Sequence, residues 1–149
     1  MKQLCGILTL CLLSGSAHAT TIGYTVASLG GGAYETSYTV SNDTLGAPLQ
    51  EFSIFFSPTL YANLAVSASP AGWDSLVAQP DNGLPADGFF DSLALNGGLA
   101  VDALQGGFAV QFTWLGAGTP GAQPFDIVDP DTFQTLESGS TTVVPLPAT

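Results

Sequence analysis

Phe108-Ala109-Val110-Gln111-Phe112-Thr113-Trp114-Leu115 is the stretch whose reading decides the fold. Phe108, Val110, Phe112 and Trp114 recur at every second position, so an extended strand puts all four on one face and leaves Ala109, Gln111 and Thr113 on the other. A helix would throw the same four residues onto opposite sides. The run therefore reads as a strand with one aromatic, apolar face, and such a face needs a second apolar surface to cover it.

Working outward, the same alternation returns in short runs. Residues 49–56 place Phe52, Ile54 and Phe56 together and predict a core strand. Residues 21–26 and 33–41 alternate on either side of Gly30-Gly31-Gly32, a turn signal, and residues 60–68 predict a weaker strand. Trp73 to Val77 reads as a short strand in a loop-rich middle, and residues 88–95 resume strand character before Asn96-Gly97-Gly98. Residues 99–104 are compatible with strand or irregular chain. Residues 123–128 predict a strand returning antiparallel to the Phe108 run, and residues 132–137 alternate once more after Asp129-Pro130-Asp131. Short strands, turn residues between them and no amphipathic helix predict an all-β fold, an antiparallel β-sandwich of immunoglobulin-like or jelly-roll-like type, with its strand order open. Nine Phe, four Tyr and two Trp are enough to fill a two-sheet core.

The N-terminus has a different pattern. Met1-Lys2-Gln3 gives a positive start, residues 4–13 are almost continuously apolar, and Ala17-His18-Ala19 offers small residues around a cleavage point. This is the layout of a secretory signal peptide spanning residues 1–19, and the apolar run falls short of the ~20 residues a bilayer span takes. Residues 20–141 are then the β-domain and residues 142–149 a proline-containing tail.

Removal of that leader would transform the chemistry available. The one Lys (Lys2), the one His (His18), both Cys (Cys5, Cys11) and the one Met (Met1) all lie in it, and the sequence has no Arg. The remainder keeps all twelve carboxylates, a formal side-chain charge of −12. Nucleic acid is excluded as a partner, because binding it needs cations to neutralise phosphates. Nucleophilic catalysis by the usual Ser–His or Cys–His arrangement is excluded for want of a base, and Cys/His zinc sites for want of ligands. Every carboxylate must be solvated, hydrogen-bonded to N–H groups or metal-bound, since no side-chain cation can pair with it.

Three uses of those residues stand as candidates. Asp126, Asp129 and Asp131 group oxygen ligands suited to Ca²⁺, as do Asp81 and Asn82 with Asp87 nearby, although neither set matches an EF-hand loop. Otherwise they are turn formers, and no other cofactor is expected. Glu35, Glu51, Asp74, Asp91 and Asp102 are the carboxylates from which a glycosidase pair would have to come. Trp73, beside Gly72 and Asp74, is the candidate sugar contact, whereas Trp114 lies on the core face of its strand.

The two ends together resemble the PEP-CTERM class of exported bacterial proteins. Val144-Pro145-Leu146-Pro147-Ala148 is similar to its Val-Pro-Leu-Pro-Ala variant, with Leu146 where the name-giving Glu would stand. The stretch from Leu115-Gly116-x-Gly118-x-Pro120-Gly121-x-Gln123-x-Phe125 to Leu136-Glu137-Ser138-Gly139-x-Thr141 resembles the final β-hairpin region of such proteins. The resemblance implies an exosortase as processing partner and release to the cell surface or exopolysaccharide matrix. The apolar span and Arg cluster that usually follow the motif do not occur up to Thr149, so the tail is expected to be truncated there. The expected function is that of a non-enzymatic, exported structural or adhesive protein. A secreted carbohydrate-binding module is the alternative, and a small carboxylate glycosidase stands third.

Carboxylates without cations repel one another in the compact state, and salt screens them. Raising NaCl from low to moderate concentration at pH 7 is expected to raise the melting temperature of the chain from residue 20 onward. A flat or falling melting temperature in calorimetry would contradict that account.

Overall fold

The computed structural model describes residues 20–145; the expected leader, residues 1–19, and Leu146, Pro147 and Ala148 of the tail motif lie outside them. Ten strands follow in chain order: β1 (Thr21–Gly30), β2 (Ala33–Ser41), β3 (Glu51–Phe56), β4 (Tyr61–Ala68), β5 (Trp73–Ala78), β6 (Gly88–Ala94), β7 (Leu104–Trp114), β8 (Pro124–Val128), β9 (Thr135–Ser140) and β10 (Thr142–Val143). They form two five-stranded sheets, ordered β10-β1-β2-β7-β4 and β5-β6-β3-β8-β9. Every pairing is antiparallel except that of β10 with β1, which is parallel. The fold is an all-β sandwich.

The period-two faces become its filling. Phe108 and Val110 are fully buried and Phe112 nearly so, opposite Phe52, Ile54 and Phe56, which are fully buried from the other sheet. Ring contacts stitch the layers together: Phe52 meets Phe108 edge-on with centroids 5.0 Å apart, and Phe56 meets Phe112 at 5.9 Å. Within the sheets, register pairs like with like, as in Ile22 opposite Val40, Tyr38 opposite Phe108, and Ile54 opposite both Phe90 and Phe125. Such pairs are the unit of sheet stability.

The structure corrects the expected partner of the residue 123–128 strand. β8 does not pair with β7; it crosses to the other sheet and lies between β3 and β9. There its Phe125/Ile127 face is buried in the core that the two sheets share. The chain crosses between the sheets through residues 115–123, where buried Gln123 serves both layers. Its side-chain oxygen accepts the hydroxyl of Tyr38 on β2, and its Nε2 donates to the carbonyl of Phe55 on β3 at 3.2 Å. Its backbone amide donates to Thr141 Oγ1 at 2.9 Å, and its carbonyl accepts the Thr141 amide at 2.8 Å. Burial pushes the Tyr38 phenol well above its ordinary pKa, so it remains a donor.

Two glycine sites carry specific conformational work. Gly30, Gly31 and Gly32 all adopt left-handed φ (87°, 64° and 83°), turning β1 into β2 where side chains would be strained. Gly23 lies under the tail: a Cβ there would stand 2.6 Å from a methyl of Val144. Thr142 and Val143, in the stretch read as tail, are thus strand β10, and the Val144 amide donates to the Tyr24 carbonyl at 2.9 Å. Pro145 is the last described residue of the motif.

Truncating the central ring tests this packing. Phe108→Ala is expected to cost about 4 kcal/mol, whereas Gln111→Ala on the exposed face of the same strand should cost about 0.5 kcal/mol or less. Urea unfolding at fixed pH and salt measures both.

Candidate functional site

Residues 129–134, joining β8 to β9, form a loop locked by its own first residue. Asp129 Oδ1 accepts the amides of Asp131 at 2.9 Å and Thr132 at 3.4 Å. The Asp129 carbonyl accepts the Phe133 amide at 2.7 Å, and the Asp129 amide donates to the Gln134 carbonyl at 2.9 Å. Phe133 sits at the tip in a left-handed conformation, φ 59°, and is 80% exposed. A bulky aromatic at positive φ is a backbone outlier that this hydrogen-bond frame holds in place. The loop's residues Asp129, Pro130 and Asp131, though not Phe133, line a surface depression of ≈ 450 Å³ whose walls mix apolar Leu45 and Leu136 with acidic Glu137. An exposed ring on a hydrogen-bonded loop that also lines a hollow of mixed apolar and acidic walls is a docking geometry. Sequence reading missed Phe133, because a Phe next to turn residues is indistinguishable from a core residue until the register of β9 is known.

The same loop reports on the expected calcium ligands. Asp129 spends its carboxylate on its own turn, while Asp126 faces sideways from β8 and accepts the Ser138 hydroxyl at 2.7 Å and that of Thr135 at 3.4 Å. Asp126, Asp129 and Asp131 are therefore not brought to one point. Asp81 likewise caps its turn, accepting the amides of Gly83 and Leu84 at 2.8 and 3.2 Å, with Asn82 and Asp87 exposed. Among the described residues no group of three or more His, Cys, Asp or Glu side chains is placed to hold a metal.

Of the five carboxylates from which a glycosidase pair would come, Glu51 and Asp91 share one face of neighbouring strands. Ser53 lies directly across from Asp91 and donates its hydroxyl to Oδ1 at 2.7 Å. Glu51, two pairs further along on the same face, is pushed from its ordinary 4.5 up to about 7, by burial first and then by the charge of Asp91 and a hydrogen bond with it. A raised carboxyl is a general-acid trait. Here, however, the pair is on the outer face of the second sheet, between Leu76 and Leu93 rather than in a cleft. Elsewhere Glu35 accepts Gln111 Nε2 at 2.9 Å on the first sheet, Asp74 is exposed on β5, and Asp102 occupies a turn at φ 64°.

Trp73 opens β5, and its ring turns inward, 5.3 Å from Phe108 and 6.0 Å from Phe52. It is half-buried, and it lines a hollow of ≈ 190 Å³ together with Gly72, Asn96 and Gly98. Its main role is to close the core. Trp114 closes the opposite end, packing on Tyr61 at 5.1 Å while its indole N–H donates to the Gly118 carbonyl at 3.1 Å.

No family model matches the chain. No curated protein matches it either. Among solved structures, a cohesin module of a family 33 glycoside hydrolase from Clostridium perfringens superposes with a TM-score of 0.46 at 10% identity, covering 84% of this chain and 98% of that one. The chitin-binding domain of Chi18aC from Streptomyces coelicolor gives 0.43 at 21% identity, covering 72% and 90%. A family 20 exo-β-N-acetylglucosaminidase from Vibrio harveyi gives 0.43 at 14% identity; the match covers 85% of this chain but only 18% of that one.

The Glu51 shift sets a pH dependence. Because its folded pKa is raised, its stabilising contribution is complete below about 4.5 and is lost as pH rises through about 7. Melting temperature should fall over that window. Glu51→Gln should flatten much of the slope and stabilise the protein by about 1 kcal/mol at pH 8, after allowance for solvent screening at this half-exposed position. Thermal melts of both proteins from pH 4 to 8 provide the check.

Proposed function

We propose that this chain is a non-enzymatic, exported β-sandwich with a structural or adhesive role in the bacterial envelope or exopolysaccharide matrix. The observation that carries this reading is the Phe133 loop, a large apolar side chain held out in solvent by a backbone that Asp129 fixes. An exposed aromatic on a backbone already held in place favours association, because little backbone entropy remains to be lost on binding. The available side-chain chemistry agrees. Residues 20–145 offer carboxylates but no His, Cys, Lys or Arg, and the Glu51 and Asp91 carboxylate pair sits on an open sheet face.

In this reading the leader directs export, and an exosortase acts at Val144, Pro145, Leu146, Pro147 and Ala148. The supporting geometry is that Val144 is tied to the edge of the first sheet while exposed Pro145 follows it directly. Carbohydrate is the second occupant to test, since Trp73 and Asn96 share a small hollow.

Co-sedimentation of the purified domain with exopolysaccharide and with envelope fractions tests the role. Phe133→Ala is expected to weaken retention at least about tenfold, the loss of ~1.4 kcal/mol or more that a central aromatic anchor supplies. It should leave the melting temperature unchanged or slightly raised. Trp73→Ala should instead lower stability by about 3 kcal/mol. Undiminished retention by Phe133→Ala, or glycan hydrolysis abolished by Glu51→Gln, would overturn the proposal.

A further inference from the structure

The start of β1 carries a contact whose chemistry changes with leader removal. Thr20 is 3% exposed, and its backbone nitrogen donates to Glu137 Oε2 at 3.1 Å. Glu137 belongs to β9 of the opposite sheet, and its other oxygen accepts the Thr44 hydroxyl at 3.0 Å. The carboxylate therefore clasps β1, the loop after β2 and β9 across one end of the sandwich. Ala17-His18-Ala19 places the expected cleavage immediately before Thr20, so the nitrogen that meets Glu137 is the one that cleavage would convert.

We propose that leader removal turns the Thr20 amide into an α-ammonium seated on Glu137, creating the one cation–carboxylate pair available to residues 20–145 and tightening the fold after export. The step is a peptide hydrolysis. Water adds across the Ala19–Thr20 bond, Ala19 leaves as a carboxylate, and the Thr20 amine takes up a proton at neutral pH. A hydrogen bond in which only the acceptor is charged becomes one in which both partners are charged, adding Coulomb attraction at short range. No Lys, Arg or His occurs among residues 20–145 to compete for Glu137. The groups facing it are Thr44, Ile127 across the β8–β9 register, and the like-charged Asp129 and Asp131 around the adjoining hollow. Burial would push the Glu137 carboxyl up, yet hydrogen bonds from Thr20 and Thr44 outweigh it and hold it below its ordinary value, so the anion is present at neutral pH.

The inference rests on cleavage before Thr20, and the test separates that premise from the pairing. N-terminal sequencing of the exported protein reads the cleavage point. Independently, a chain made to begin at Thr20 is compared with the same chain acetylated at Thr20 and with one extended by Gly-Ser. The free Thr20 form is expected to melt a few degrees higher at pH 6–7 and low salt. The signs follow from both partners. The ammonium's folded pKa is raised above its ordinary ~8, so its contribution fades as pH rises through that raised value; the carboxylate's fades as pH falls through its lowered one. The gap should therefore close above pH 10, in high salt and in Glu137→Gln. An NMR titration of the Thr20 amine gives a readout independent of stability, with a pKa above ~8 expected. Equal melting of the free and acetylated chains, a gap that survives Glu137→Gln, or an ordinary amine pKa would overturn the pairing.

Discussion

The edge-to-face contact of Phe52 with Phe108 is the interaction on which the sandwich depends. Phe52 comes from the middle strand of one sheet and Phe108 from an inner strand of the other, so this ring pair holds two layers that share no hydrogen-bond ladder. Around it, Phe90 and Trp73 pack on Phe108, while Phe56, Tyr61 and Phe112 continue the cluster towards Trp114. Without cysteines or metal clusters among the described residues, apolar burial has to stabilise the domain. That explains why both tryptophans serve as end-closures rather than as open ligand platforms.

Polar groups work within the same constraint. Lacking side-chain cations, the carboxylates find N–H and O–H donors: Asp81 and Asp129 in their own turns, Asp126 and Asp91 on neighbouring serines, and Glu137 on Thr20 and Thr44. Glu51, partly buried and next to Asp91, holds its proton towards neutral pH. Gln123 plays the neutral counterpart, spanning both sheets with an amide that can donate and accept at once. Asn42, at the crossing from β2 to β3, donates to the carbonyls of Ala47 and Leu99. These anchors leave the loop tip at Phe133 free to present an apolar side chain.

How much could be read in advance follows from the range of each signal. The alternation of Phe108, Val110, Phe112 and Trp114, and of Phe52, Ile54 and Phe56, is local, and those faces are the core. Gly30-Gly31-Gly32 and Asn96-Gly97-Gly98 announce their turns through backbone freedom that is equally local. The placement of β8 against β3 was not legible, because antiparallel alternation looks the same whichever neighbour a strand chooses. Nor were the rings that Trp73 packs on, which depend on its opening β5 opposite Ala94. The apparent cluster Asp126, Asp129 and Asp131 dissolves for a related reason: closeness along the chain says nothing about where each carboxylate points once one residue lies in a strand and another caps a turn.

By itself the sequence determined the fold class, the strand faces, the chemistry excluded by missing His, Cys, Lys and Arg after residue 19, and the expectation of export. Those properties depend on composition and on periods of two residues, which the chain carries without folding. The tertiary structure alone decided which strands share a sheet, that Gln123 joins the layers, that Phe133 stands in solvent, and that Thr20 meets Glu137 from 117 residues away. Each of these depends on where distant segments come to rest against one another, and that is settled only when the two aromatic faces close on a common core.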